Sequence, residues 1–375
     1  MRVMFAAGDV GGARALLPVA RLACQRGHTV LAMAHGVLRQ EGDEAWSWVP
    51  PGRFPQAENL DAMFYATSVA DWTAFRFAQH ARAQGVPLIH VLDNWSNYAN
   101  RLLGPDSHRL VPDVYAVMDD LAAREAIASG VPADSVIVTG HPGLTKLRHE
   151  RHTVLEGATS TEEDGSVGSQ QHIMFVSEPA LKDSGQAGRQ GSRGYDEIVV
   201  SHLLLRCLSL AHRPDQPLAR LSVVPHPRED RNGVEVRWTE LASQYTETTG
   251  SMLDWQLTPP DQVRETLHGA NVIVGMTSIL LYEAWLLGKH AVSVQPNLQN
   301  DELRALAERD GLVFCDSEDA AIRTLPSVLS HFAQRELAPR PDLRLHEQAS
   351  TTLLALAERC SGIHNRNQKP TMRPA

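Results

Sequence analysis

The chain has 375 residues, with 44 acidic and 35 basic side chains and a formal net charge of −9 at pH 7. This length predicts two domains of ordinary size, and the acidic balance argues against binding of nucleic acid through bulk charge. The four cysteines form no Cys-x-x-Cys motif and no Cys/His cluster, which argues against a zinc site and a disulfide scaffold and favours a reducing cytoplasm.

The first half of the chain alternates between strand and helix patterns. The predicted elements are strands at residues 2–7, 28–34, 61–68, 86–93, 113–119 and 135–140, and helices at 13–27, 71–85 and 121–130. Strands that alternate with helices are typical of a parallel sheet that helices cover.

The second half repeats this pattern after a polar segment. Residues 156–171 are rich in Gly and Ser and poor in apolar side chains, so we predict a flexible linker. Beyond it, the predicted elements are strands at 172–179 and 220–227, a helix at 196–212, and a strand–helix–strand unit at 270–297. Residues 361–375 lack an apolar period and are expected to form a flexible tail.

These patterns predict an α/β fold with two Rossmann-like αβα domains, residues 1–155 and 172–360, that face a central cleft. The N-terminus lacks a charged segment followed by a long apolar run, so no signal peptide is expected. No apolar run reaches the length of about 18 residues that would predict a membrane span. Ligands in such sheets bind beyond the carboxyl ends of strands, so motifs that follow strands are the candidate site residues.

The sequence GDVGGAR, residues 8–14, follows the first predicted strand. Gly11 and Gly12 would let the backbone approach a ligand closely, and a helix start favours an anion or a polar group. Asp9 is the ionisable group inside this motif. The spacing does not match a dinucleotide-binding Gly-x-Gly-x-x-Gly, and a simple tight turn is the alternative.

The sequence HVLDNWSNY, residues 90–98, follows another predicted strand. Asp93, Asn94 and Trp95 place a carboxylate, an amide and an aromatic ring side by side. Proteins bind sugars in this way, because the polar groups bind hydroxyls and the aromatic face covers the apolar face of the ring. The alternative is a surface loop with a half-buried tryptophan.

Three further strands end in polar residues. TGHPG, residues 139–143, either delivers His141 to the cleft or forms the turn where the chain crosses between domains, and we favour the turn. In the second half, FVSEP contains Ser177, and VVPHPRED contains His226 between two prolines. A histidine held there can donate to a phosphate oxygen or protonate a leaving group, and a strand cap is the alternative.

The predicted helix at 278–287 is apolar on almost every face but contains Glu283. A buried carboxylate needs a partner. Thr277 and Ser278 at the helix start form either an N-cap or an anion site. If a nucleotide phosphate binds there, its ribose hydroxyls would satisfy Glu283, and the alternative partners are Lys289 or a buried arginine.

Together these residues resemble the GT-B fold glycosyltransferases and, within them, the non-hydrolysing UDP-N-acetylglucosamine 2-epimerases. AQGVPLIHVLDNWSN is similar to the epimerase strand that ends in His-Val-Glu-Ala-Gly, VVPHP to the His-Pro segment, and GMTSILLYEAWLLGKHAVSV to the Ser-Gly-Gly-x-x-x-Glu-Ala helix and the strand after it. The His-Pro motif and the helix start are also similar to those of bacterial sialyltransferases, Kdo transferases and CDP-glycerol polymerases. The resemblance implies that Thr277 and Ser278 bind a diphosphate, that Glu283 binds the ribose, and that His226 lies near the donor phosphates.

Two epimerase motifs are replaced in this chain. FVSEP stands where the epimerases carry His-Arg-Glu-Asn, and QPNLQNDE stands where they carry Thr-Glu-Arg-Pro-Glu. We therefore expect a glycosyltransferase that moves a sugar from a nucleotide-activated donor to a hydroxyl acceptor, in cytoplasmic polysaccharide or glycoconjugate biosynthesis. A nucleotide-sugar epimerase or hydrolase and a non-catalytic partner subunit of the same fold are the alternatives.

In this interpretation the first domain binds the acceptor and the second binds the donor. No cofactor or metal is expected, since the matched region contains no Asp-x-Asp motif, and peripheral contact with a membrane is left open. Asp93 is the expected proton acceptor, with Asp9 as second candidate. The glycine-turn N–H groups should lower the pKa of Asp9, whereas partial burial beside Trp95 and His90 should raise the pKa of Asp93.

Overall fold

The computed structural model describes residues 1–55, 60–68, 71–147, 149, 170–185, 192–215, 219–330 and 338–367, with side chains up to residue 362. The chain divides into two compact units. The first joins Met1–Lys146 to Asp342–Ala375, and the second is Leu147–Pro341. Most of the predicted linker, residues 156–169, lies outside the described residues.

The first unit contains a parallel sheet of seven described strands. These are β1 (Arg2–Ala7), β2 (Thr29–Met33), β3 (Ser47–Val49), β4 (Ala62–Ala66), β5 (Leu88–Val91), β6 (Val114–Val117) and β7 (Val136–Val138). Their order across the sheet is β3-β2-β1-β4-β5-β6-β7. Strands such as β4 are buried along their whole length, which accounts for the continuous apolar runs in the sequence.

The second unit contains a parallel sheet of six described strands. These are β8 (His172–Val176), β9 (Arg220–Val224), β10 (Asp254–Leu257), β11 (Val272–Gly275), β12 (His290–Val294) and β13 (Val313–Cys315). Their order is β10-β9-β8-β11-β12-β13, and in the register of the central pair Phe175 lies opposite Val274. Phe175, Val274 and Trp238 are buried in the core of this unit.

Helices connect most of the strands. In chain order they are α1 (Val10–Gln25), α2 (Gly36–Glu41), α3 (Thr73–Ala83), α4 (Asp120–Ala128), α5 (Ala180–Ser184), α6 (Glu197–Ala211), α7 (Arg231–Thr249), α8 (Val263–Gly269), α9 (Ile279–Leu286), α10 (Glu318–Ser330) and α11 (Leu343–Asn367). None of the described helices has the length and apolarity needed to cross a membrane.

Aspartate side chains begin several of these helices. Asp9, Asp119, Asp196 and Asp230 are the N-caps of α1, α4, α6 and α7, and each accepts a hydrogen bond from an N–H group of the first turn. Such a cap stabilises a helix by about 1 kcal/mol. Each sets the point at which the chain turns from a loop into its helix.

The C-terminal helix belongs to the first unit. Leu353, Leu354 and Ala357 of α11 are fully buried in the core that also contains Phe5 and Phe64. The prediction of one domain over residues 172–360 is therefore wrong beyond Pro341, and the first boundary falls at Lys146 instead of residue 155. The predicted flexible tail is helical as far as Asn367, and residues 368–375 lie outside the described residues.

Candidate functional site

The strand order reverses beside the first strand of each sheet. β1 lies between β2 and β4, and β8 lies between β9 and β11. Ligands in open α/β sheets bind beyond the carboxyl ends of the strands at such points. The candidate residues lie there: Asp9 follows β1, Asp93 follows β5, and Glu178 and Thr277 follow β8 and β11.

In the first unit, two carboxylates lie at the glycine turn after β1: Asp9 belongs to the turn, and Asp93 approaches it from the loop after β5. Asp9 accepts a hydrogen bond from the N–H of Gly12 at 2.8 Å. A Cβ atom on Gly11 would collide with the carboxylate of Asp93, and one on Gly12 would lie 2.7 Å from the Cβ of Ala66. Gly11 therefore admits Asp93, and Gly12 allows α1 to pack against β4.

Asp93 forms an ion pair with Arg101. One guanidinium nitrogen lies 2.8 Å from its Oδ1, and the Asp93 and Arg101 side chains are 9% and 12% exposed. Arg101 also donates to the carbonyl oxygens of Thr67 and Ser96 at 3.1 and 3.2 Å. These contacts fix the guanidinium beside the carboxylate. Sequence reasoning missed Arg101, since nothing in its loop indicated this partner.

The protonation of Asp9 differs from the expectation. Its pKa is raised, first by burial and then by the charge of Asp93, against the lowering effects of the Gly12 N–H, Arg101 and Ser68. The expectation that the glycine turn would lower the pKa of Asp9 is therefore wrong. The N–H contribution is present, but burial and a second carboxylate outweigh it.

The neighbouring residues of the HVLDNWSNY motif are placed differently from the sugar-binding expectation. The Trp95 residue is only 4% exposed, and its Nε1 donates to Asp119 at 3.0 Å. No broad aromatic face is therefore offered to a ligand. Asn94 is exposed, and its Oδ1 accepts from the N–H of Trp95. His90 is fully buried and stacks on Tyr115, below the strand ends.

In the second unit, the Glu178 carboxylate accepts hydrogen bonds from the donor groups at the start of α9. Its carboxylate accepts hydrogen bonds from the backbone N–H and the hydroxyl of Thr277, both at 2.5 Å, and from Arg193 at 2.8 Å. Ser278 is the N-cap of α9, and its Oγ accepts from the N–H of Leu280 at 3.3 Å. The helix start therefore binds an anion in this structure, and the anion is a side chain of the chain itself.

Ser177 and His226 lie beside this cluster. Ser177 is buried and donates to Glu229 at 2.9 Å, while Glu229 accepts from the N–H of His226 at 2.8 Å. His226 Nδ1 accepts from the N–H of Arg228 at 3.1 Å, so the neutral ring carries its proton on Nε2. Burial and the charge of Arg228 lower the pKa of His226, and the charge of Glu178 opposes them.

Glu283 has an arginine as its partner. The carboxylate, 8% exposed, is paired with the guanidinium of Arg264 from α8. Lys289 donates instead to the carbonyl oxygens of His268 and Ala270, at 2.6 and 2.9 Å. The alternative of a structural ion pair, which the sequence left open, is thus present in the fold.

The turn after β7 brings a further histidine to the first unit's cluster. His141 is 4% exposed, and the charge of Asp93 is among the influences on its pKa. It lies five residues before Lys146, where the first unit's main segment ends, which agrees with the interpretation of TGHPG as a turn near the domain crossing. Among the described residues, no group of three His, Cys, Asp or Glu side chains is arranged to hold a metal ion.

No protein-family model and no curated protein matches the sequence. Solved structures match over nearly the whole chain. The UDP-GlcNAc 2-epimerase of Neisseria meningitidis, solved with UDP-GlcNAc, is 12% identical with a TM-score of 0.59, over 96% of this chain and 100% of that one. MurG of Acinetobacter baumannii is 14% identical with a TM-score of 0.51, over 97% and 99%. HepE of Anabaena, solved with UDP, is 13% identical with a TM-score of 0.52, over 98% of each chain.

At these identities the similarity establishes the fold. The chain has the GT-B fold, with two α/β units that each contain a parallel sheet, and it resembles the epimerase group. The predicted fold class and resemblance are confirmed. Arg101, Glu178 and Arg193 were missed as members of the strand-end clusters, and Arg193 lay in a polar loop that carried no signal of this role.

Proposed function

We propose that the chain is a metal-independent glycosyltransferase that moves a sugar from a nucleotide-activated donor to a hydroxyl acceptor. The observation that carries the proposal is the half-buried pair Asp9 and Asp93 at the reversal point of the first sheet, where Gly11 leaves room for the Asp93 carboxylate and the pKa of Asp9 is raised. A carboxylate with that property is suited to take a proton from a hydroxyl group. We place this reaction in glycan or glycoconjugate synthesis in the cytoplasm.

The second unit would bind the nucleotide. As the glycosidic bond to the donor breaks, negative charge builds on the leaving phosphate. Several hydrogen-bond donors in this region would stabilise that charge. They are the guanidinium of Arg193, the N–H and hydroxyl of Thr277, the hydroxyl of Ser278 and the Nε2–H of His226. Glu178 now accepts from Thr277 and Arg193, so a diphosphate would have to displace its carboxylate from them.

The proposal reverses the expected order of the two candidate bases. The guanidinium of Arg101 compensates the charge of Asp93 at 2.8 Å, whereas the pKa of Asp9 is raised. A general base works best when its pKa approaches the working pH. Asp9 is therefore the proposed proton acceptor, and Asp93 the neighbour whose charge raises the proton affinity of Asp9.

Ribose binding by Glu283 is not part of this proposal. That expectation was motivated by a buried carboxylate in need of a partner, and Arg264 supplies one. Trp95 is likewise not needed as a sugar platform, since its indole is buried and bonded to Asp119.

A second candidate function is epimerisation or hydrolysis of the donor without an acceptor. It is favoured by the structural similarity to UDP-GlcNAc 2-epimerases and disfavoured by the replaced FVSEP and QPNLQNDE motifs. A third candidate is a non-catalytic partner subunit that keeps the fold.

One experiment separates the three candidates. The protein is incubated with a panel of UDP-, CMP-, CDP- and GDP-sugars, with and without a mixture of hydroxyl acceptors, and free nucleotide and donor isomers are measured. We expect nucleotide release that depends on acceptor. Isomer formation or release without acceptor would indicate an epimerase or a hydrolase, and no binding of any nucleotide sugar would indicate a partner protein.

A further inference from the structure

The C-terminal helix contributes a buried histidine to the turn after β7. His346 of α11 is fully buried, and its Nδ1 accepts a hydrogen bond from the backbone N–H of His141 at 2.9 Å. Gly140 permits this approach. Its φ is +83°, and a Cβ atom there would lie 2.5 Å from the carbonyl oxygen of Leu345. The helix and the turn are thus in direct backbone contact.

The ring of His141 is fixed in one tautomer. Its Nδ1 accepts from the N–H of Gly143 at 3.1 Å, so the neutral ring carries its proton on Nε2. Burial lowers the pKa of His141 to about 4, which keeps the ring neutral at pH 7. Nε2 has no well-aligned partner among the described residues, but the ring interacts with the charge and with the backbone of Asp93.

Asp93 therefore interacts with two fixed groups. Arg101 holds the carboxylate through the ion pair, and the His141 ring interacts with the backbone and with the charge of Asp93. The charge of Asp93 in turn raises the pKa of Asp9. The other groups that face Asp9 are Arg101, Ser68 and the N–H of Gly12, and none of these belongs to α11.

We propose that His346 and His141 are positioning residues, through which the C-terminal helix holds Asp93 beside Asp9. The catalytic consequence rests on the proposed function, because it concerns the proton acceptor. The hydrogen bonds themselves do not, and they can be tested without any substrate.

The first test follows the His141 ring and amide by NMR in the full chain with ¹⁵N-labelled histidine. In the wild type we expect the Nε2–H tautomer at pH 7 and a ring that stays neutral down to about pH 5. In His346→Leu we expect exchange of the His141 amide to rise at least tenfold and the ring to titrate at higher pH. His346→Gln should restore protection, since its amide oxygen can accept the same N–H.

Ser350→Ala is the matched control on the same helix. Its hydroxyl lies 3.4 Å from Thr145 Oγ1 in the same turn, and the described hydrogen bonds of His141 do not include it. We expect the tautomer and the exchange of His141 to be unchanged. A folded His346→Leu with wild-type exchange and ring signals would overturn the proposal.

The wild type and Asp93→Asn test the proposal if His346→Leu fails to fold. Removal of the Asp93 charge should lower the pKa of His141, because that charge favours the protonated ring. A ring that titrates near 6.5 in the wild type, or that does not respond to Asp93→Asn, would overturn the proposal.

The second test uses turnover once a donor is known. We expect His346→Leu to lower kcat by about ten- to a hundredfold, the cost of a misplaced catalytic group, with donor KM unchanged and the acid limb of the pH–rate profile displaced. His346→Gln should recover most of the rate. If Ser350→Ala loses as much kcat as His346→Leu, or if the pH–rate profile of His346→Leu is not displaced, His346 has only a structural role in the core. Absence of any turnover in the wild type would contradict the proposed function and leave the NMR test to decide the positioning role.

Discussion

At the scale of single residues, the two carboxylates of the first unit have different surroundings. Asp93 lies 2.8 Å from a guanidinium nitrogen of Arg101, whereas burial and the Asp93 charge raise the pKa of Asp9. A carboxyl group whose pKa is raised by burial and by a neighbouring carboxylate is typical of an acid–base site. Such an arrangement carries a cost in stability, and that cost makes the assignment of Asp9 testable.

Asp9→Asn should lower turnover by about 10²–10⁴-fold, the usual share of general-base catalysis, and leave nucleotide binding intact. It should also raise the melting temperature at neutral pH, because it removes a buried charge that Asp93 repels. Kinetics and thermal unfolding of one preparation measure both effects.

Asp93→Asn is the comparison variant. It should lower the melting temperature, since Arg101 would lose its buried partner. Near-normal turnover in Asp9→Asn together with a large loss in Asp93→Asn would return the role of base to Asp93.

Glu283→Gln should destabilise the protein by about 1–3 kcal/mol, because it replaces the charged acceptor of the Arg264 hydrogen bond by a neutral amide oxygen. Nucleotide affinity should be unchanged, since the Glu283 carboxylate is paired with Arg264 and is not expected to bind the ribose. Chemical denaturation and a nucleotide titration measure the two quantities. Weaker nucleotide binding with unchanged stability would restore the ribose-binding role that the sequence suggested.

Several residues of the two clusters could be predicted from the sequence, but their hydrogen-bond and ion-pair partners could not. Asp9, Asp93, His226 and Thr277 could be predicted because ligands bind beyond the carboxyl ends of such strands, where these residues stand. The pairing of Glu178 with Thr277 joins residues 99 positions apart, and no local pattern encodes it. The burial of Trp95 also depends on a distant residue, Asp119, so an exposed aromatic face was expected where none is available.

At the scale of elements, the start of α9 is the part of the second unit best suited to an anion. Its donors are taken by Glu178, whose carboxylate is held by Thr277 and Arg193. A carboxylate and a phosphate oxygen make similar demands on these donors. A ligand phosphate at this position therefore competes with the side chain.

Glu178→Gln should raise the affinity for inorganic pyrophosphate and for UDP by roughly tenfold, because a neutral amide holds the donors less tightly and does not repel the ligand. Calorimetric titration of the wild type and the variant measures this change. Glu229→Gln is the control, since Glu229 bonds Ser177 and His226 and not Thr277. If a folded Glu178→Gln binds these ligands with equal or lower affinity, the ligands do not compete with Glu178 for the donors at the start of α9.

Long apolar elements could be predicted from the sequence, and short or polar ones were missed. The strands β1, β8 and β11 and the helix α6 appear as uniform apolar runs or clear periods. The strands β3, β10 and β13 were missed because segments of three or four residues are too short to show a period. The helix α7 was also missed, although Val234, Trp238, Leu241 and Tyr245 are its buried residues and recur at helical spacing.

The location of α11 could not be predicted from chain order. This helix was not among the predicted elements, and apolar residues at helical spacing would not have specified which core its buried face joins. Packing placed it in the first unit, where Leu353 and Leu354 are fully buried.

At the scale of the whole molecule, several buried or half-buried histidines connect stability to pH. His90, His141, His172 and His226 all have a lowered pKa, and burial is the main cause in each. A ring that is neutral in the folded state takes up a proton on unfolding below its ordinary pKa of about 6.5. The contribution is therefore fully present above pH 6.5 and is lost as pH falls toward the folded-state pKa.

The free energy of unfolding should accordingly fall as pH is lowered from 7.5 to 4.5. For His141, with a folded-state pKa of about 4, the share is about 3 kcal/mol. Chemical denaturation at a series of pH values measures the slope, and His141→Gln should make it shallower. The same slope in the wild type and the variant would show that His141 is not held neutral by the fold.

If the two units have the proposed roles, the reaction yields an acceptor that carries one added sugar residue. The first unit carries a carboxylate pair suited to an acceptor hydroxyl, and the second carries donors suited to a leaving phosphate. The most direct measurement is mass spectrometry of an acceptor mixture after incubation with nucleotide sugars in the presence of EDTA. We expect one acceptor to gain the mass of one sugar residue, at a rate within about twofold of that without EDTA and lost in Asp9→Asn. A donor that is turned over while no acceptor gains mass, or a gain that EDTA abolishes and Mg²⁺ restores, would contradict a metal-independent glycosyltransferase.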